Sequence, residues 1–92
     1  MSTAYRRNPS IEASPMQGES LLFDPATNRF CLLNGTAAFV WDRLEQPATA
    51  EQLAAEVSRH FAGPGPAQVE QDVRAALQRF TDLALVTPEA VA

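Results

Sequence analysis

The chain has no lysine, one cysteine (Cys31) and one histidine (His60) in 92 residues. One thiol excludes an intramolecular disulfide and fits a reducing cytosol, so a cytoplasmic location is expected. With so few soft ligands there is no CxxC or HxxxH spacing, and no acidic loop has calcium-ligand spacing, so no metal is expected. Neither GxxxxGK[ST] nor GxGxxG occurs, which leaves no phosphate cradle and no expected cofactor. Without lysine, seven arginines face eleven acids and the net charge is −4. The chain therefore lacks the basic surplus by which nucleic-acid binders offset phosphate repulsion. No apolar run is long enough to span a bilayer, and the two arginines near Met1 precede no apolar stretch, which argues against a secretory signal and a membrane partner.

A hydrophobic content of 46% is ordinary for a globular protein. Ninety-two residues allow one small core, burying about 60–65% of the unfolded surface. Residues 1–18 hold Pro9, Pro15 and Gly18 among small polar residues and read as an irregular arm. A short strand fits around Tyr5 to Asn8, and because proline removes a backbone donor, continuous pairing through Pro9 is not expected. Residues 20–24 and 29–33 are apolar strand candidates joined by Pro25-Ala26-Thr27-Asn28, where proline fixes φ and asparagine tolerates a left-handed turn. The second strand is apolar on both faces, with Phe30 and Leu32 on one and Cys31 and Leu33 on the other. One face covers a core; the other needs a cover or is a binding surface.

Helical spacing takes over at Asn34, a good N-cap type. Ala37, Val40, Trp41 and Leu44 fall on one helical face, and Pro47 ends that helix. Thr49 with Gln52 forms a capping box for a second helix carrying Leu53, Val57 and Phe61. Gly63-Pro64-Gly65-Pro66 is a break, with Pro66 suited to the first helical position. Val69, Val73, Ala76, Leu77, Phe80 and Ala84 stripe the third helix, and Leu85-Val86 close the core. Residues 87–92 read as a tail. The expected class is α+β: an N-terminal three-stranded antiparallel sheet followed by three helices, with residues 19–86 as the domain.

No convergent catalytic group emerges. His60 near a helix end is favoured there by the dipole, and Cys31 in a strand reads as a small hydrophobe. Glu70 and Arg74 stand at i, i+4 and support the third helix by a few tenths of a kcal/mol. A binding module, not an enzyme, is the expectation.

Phe30-Cys31-Leu32-Leu33-Asn34 followed by Thr36-Ala37-Ala38-Phe39-Val40-Trp41, then Thr49 to Leu53, then Asp72-Val73, Leu77, Phe80 and Ala84-Leu85, resembles the PqqD-like family of peptide chaperones. The likeness covers roughly residues 19 to 86. The family's closing glycine is replaced by Ala84, an aromatic is common at the position of Cys31, and a larger apolar residue is common at Ala76. The resemblance implies a winged-helix-like fold that binds the leader segment of a ribosomal precursor peptide and presents it to a modifying enzyme. That partner would be a radical SAM enzyme, a leader peptidase or a ligase, and the product a quinone cofactor, a lasso peptide or another modified peptide. The implied site lies between the last strand and the third helix. Arg29, Phe30, Cys31, Leu32 and Leu33 would give the strand edge; Val73, Ala76, Leu77 and Phe80 the apolar pockets; Asp72 and Arg79 the rim.

A winged-helix DNA-binding regulator is the runner-up, opposed by Glu70, Asp72 and Asp82 on the third helix. A carrier protein would need a modifiable serine opening a helix, which neither Ser20 nor Ser58 provides. A structural subunit using the same apolar edge is the blandest reading.

Overall fold

A computed structural model describes residues 2–61 and 65–91. Gly63 and Pro64 of the expected break lie outside the described residues. Three strands, β2 (Glu12–Met16), β3 (Glu19–Asp24) and β4 (Arg29–Asn34), form an antiparallel sheet in the order β2-β3-β4. Alternation along β3 is strict: Ser20, Leu22 and Asp24 are buried, while Leu21 and Phe23 face outward. Leu22 pairs with Cys31 and Phe23 with Phe30, so β4 inherits the same two faces. Leu33 is buried on the core side, whereas Phe30 is 68% and Leu32 48% exposed on the other. The β3–β4 turn is held by Asp24, whose carboxylate accepts from the Ala26 N–H at 2.9 Å and the Thr27 hydroxyl at 3.0 Å. Asn28 takes the left-handed position at φ 59°.

Three helices pack behind this sheet: α1 (Gly35–Arg43), α2 (Ala50–His60) and α3 (Pro66–Asp82). Asn34 is the N-cap of α1 through its extended backbone, without a side-chain cap bond. The Thr49 hydroxyl accepts from the Gln52 N–H at 3.1 Å, and the Gln52 side chain returns a 2.9 Å bond, completing the capping box of α2. Pro66 opens α3. The stripes converge in one core around Trp41 and Phe80, whose rings meet edge to face at 5.9 Å. No helix among the described residues is long and apolar enough to cross a membrane.

A second sheet corrects the expectation of an irregular arm and a loose tail. Strand β1 (Ser2–Arg7) pairs along its full length with β6 (Val86–Val91), and its other edge takes the two-residue β5 (Ala48–Thr49). Residues 12–16 of the arm form β2. Proline is tolerated because Pro15 and Pro88 sit on edge strands, which need not donate outward. Pro9 does interrupt pairing: β1 stops before it, and Asn8 makes the corner. The Asn8 N–H donates to the Leu85 carbonyl and its side-chain amide to the Ala84 carbonyl.

Arg7 ties β1 to the helices. Its guanidinium donates to the Trp41 carbonyl near the C-terminus of α1 and lies 4.6 Å from the indole centroid. Burial pushes its pKa down, and the Glu45 and Asp42 carboxylates oppose that shift.

Candidate functional site

Two sheets of three strands leave four edges among the described residues: β2, β4, β5 and β6. Strand β2 carries Pro15, strand β6 carries Pro88, and β5 is two residues long. Proline and shortness are the ordinary ways of blunting an edge against foreign strands. Strand β4 has neither protection: six residues without proline, paired on one side only. Alternate residues along it direct N–H and C=O groups away from β3.

Beside this edge lies a cleft of about 720 Å³ between β4 and the C-terminal end of α3. Arg29, Phe30, Cys31 and Leu32 form one wall, with Leu22, Asp24 and Thr27 contributed by β3 and its turn. Arg79, Asp82 and Leu83 form the other wall, and Ala84 and Leu85 close the end. The walls touch where an Arg79 guanidinium nitrogen donates to Cys31 Sγ at 3.4 Å.

The closed end has a specific backbone cause. Leu83 caps α3 and Ala84 follows with φ 58°. The Ala84 N–H donates to the Thr81 carbonyl at 3.0 Å and the Leu85 N–H to the Phe80 carbonyl at 2.8 Å. These are the paired bonds of a Schellman motif, with Leu85 and Phe80 meeting in the core as its apolar contact. The motif stops the helix beside β4 and turns the chain into β6.

Of the residues expected to form a groove, Arg29, Phe30, Cys31, Leu32 and Arg79 converge on this cleft. Leu33 belongs to β4 but is fully buried beneath it. Val73, Leu77 and Phe80 require correction: at 0–1% exposure they are core residues and offer no surface. Ala76 packs partly buried against the same core, and Asp72 is exposed, accepting from Gln68 at 2.8 Å. Neither lines the cleft. The stripe on α3 that the spacing reveals is its core face; the cleft uses the helix end. Asp82 and Leu83, three and four residues beyond Arg79, were within reach of helical spacing but were missed.

The lone histidine is elsewhere. His60 stacks on Phe39 at 4.4 Å, in a pocket with Gly35 and Phe61. No group of three or more His, Cys, Asp or Glu side chains among the described residues is placed to hold a metal.

Residues 19–86 match the model of the family described as coenzyme PQQ synthesis protein D (PqqD). Two solved structures share the fold. One is described as TbiB1 in complex with the TbiA(beta) leader peptide, with TM-score 0.78, 18% identity, and coverage of 95% of this chain and 98% of that one. The other is a lasso peptide synthetase B1 complexed with the leader peptide, with TM-score 0.75, 20% identity, and coverage of 91% and 98%. No curated protein matches the chain.

Proposed function

The chain belongs to the PqqD family, and from that premise we propose that it binds the leader segment of a ribosomal precursor peptide and presents it to a modifying enzyme. The leader adds to β4 as a further strand. Main-chain bonds supply affinity, and side chains alternating between the cleft and the outer sheet face supply selection. The observation that carries this reading is the unblunted edge of β4 beside an apolar-walled cleft. Two proteins of the same fold, each solved with a leader peptide, support it.

We assign the chain no catalytic step of its own. Cys31 faces Arg79 in the cleft, while His60 is engaged with Phe39 in another pocket, so the two do not make a nucleophile and base. The modifying chemistry falls to the partner enzyme.

The test searches the reading frames beside this gene for a short precursor and uses its leader as a synthetic peptide, with binding followed by fluorescence anisotropy. Leu32 is half exposed, so Leu32→Asp leaves the fold intact by circular dichroism. It removes an apolar contact of roughly 1.5–3 kcal/mol, which is a loss of about tenfold or more in affinity. Leu77→Asp places a charge in the core and instead unfolds the chain. A folded Leu32→Asp protein with unchanged affinity contradicts the proposal.

A further inference from the structure

Arginines outside the cleft have partners of their own, whereas the cleft itself holds two without a salt bridge among the described residues, Arg29 and Arg79. Arg6 pairs with Glu89, Arg59 with Glu56, and Arg74 with both Glu51 and Glu70. Arg7 and Arg43 lie over the rings of Trp41 and Phe39. Arg79 has no carboxylate within salt-bridge distance among the described residues; it reaches across the cleft to a thiol, a weak acceptor. The acids nearby are otherwise held. Asp82, three residues on, accepts from Gln78 at 2.9 Å, and Asp24 is occupied by Ala26 and Thr27 in its turn.

Sheet geometry fixes what a docked strand would bring to this cation. Side chains directly opposite one another on adjacent strands lie on the same face, with Cβ atoms about 4.5–5.5 Å apart. The guest residue opposite Cys31 therefore projects toward α3, under the Arg79 guanidinium. Its two neighbours stand opposite Phe30 and Leu32, on the outer face where those side chains are 68% and 48% exposed. We propose that Arg79 is a specificity-determining residue that selects an extended segment of the form apolar–acidic–apolar, its carboxylate on Arg79 and its apolar pair covering Phe30 and Leu32. The pattern is symmetric, so it holds for a guest strand running in either direction. This inference rests on β4 being the docking edge.

Random dodecapeptides displayed on phage are selected on the full chain and on its Arg79→Gln and Arg79→Glu variants. All three should fold alike, since Arg79 is exposed. Wild-type selection enriches Asp or Glu flanked by apolar residues. Selection on Arg79→Glu replaces the acid by Arg or Lys at the same position, and on Arg79→Gln that position becomes indifferent. Changing the acid to its amide in a wild-type-selected peptide weakens binding to the wild type about five- to tenfold and leaves binding to Arg79→Gln unchanged. Enriched peptides that lose affinity on Leu32→Asp yet show no acid, or the same acid on Arg79→Glu, overturn the inference and leave β4 docking standing. If no enriched peptide is sensitive to Leu32→Asp, both fall.

Discussion

Ala84 holds a left-handed backbone conformation, φ 58°, that an L side chain adopts at a cost of roughly 1–2 kcal/mol. Glycine would remove that cost but lose about 0.4–1 kcal/mol through the greater freedom of its unfolded chain. Ala84→Gly is therefore expected to stabilise by about 0.5–1 kcal/mol, raising the thermal midpoint by a few degrees for a domain this small. An unchanged or lower midpoint would contradict the strain. The residue scale also shows what spacing can decide. Alternation correctly divided Phe30 and Leu32 from Cys31 and Leu33, but it could not say which pair was buried; that depends on where the helices lie. Val73, Leu77 and Phe80 were legible as a stripe, and a stripe on a small protein's longest helix is first of all its core. The rim pair Asp72 and Arg79 comes from the family resemblance and not from spacing, and only Arg79 lines the cleft.

Elements whose order is local were readable, and those completed by distant pairing were not. The hairpin of β3 and β4, the capping box of α2 and the proline opening α3 each carry their signal within a few residues. Strand β1 is largely polar and runs up to Pro9, strand β6 contains Pro88, and each is a strand only because the other end of the chain pairs with it. Tertiary context overrides weak strand propensity there. Arg7 fastens that second sheet to α1. Arg7→Ala loses charge-assisted bonds to the Trp41 carbonyl and the contact over the indole, a destabilisation of about 1–2 kcal/mol in urea unfolding. Arg7→Lys recovers only part of it, because one ammonium cannot both fork onto the carbonyl and lie flat on the ring. Equal stability of Arg7→Ala and wild type would show that the second sheet needs no such tie.

At the scale of the whole molecule, one of the four strand edges among the described residues is open, and the proposed function rests on that asymmetry. Three to five main-chain bonds at about 0.5–1.5 kcal/mol each, with two apolar contacts at about 1.5–3 kcal/mol, are largely offset by ordering a flexible leader at about 1–2 kcal/mol per residue. The surplus sets an expected dissociation constant in the roughly micromolar to sub-micromolar range, suited to a carrier that hands its cargo on. The most direct measurement is amide hydrogen exchange, residue by residue, with and without the leader peptide. A strand added to β4 slows exchange at alternate amides between Arg29 and Asn34, those directed away from β3, and leaves β2 and β6 unchanged. Protection confined to other elements, with the β4 amides exchanging as before, would contradict the account.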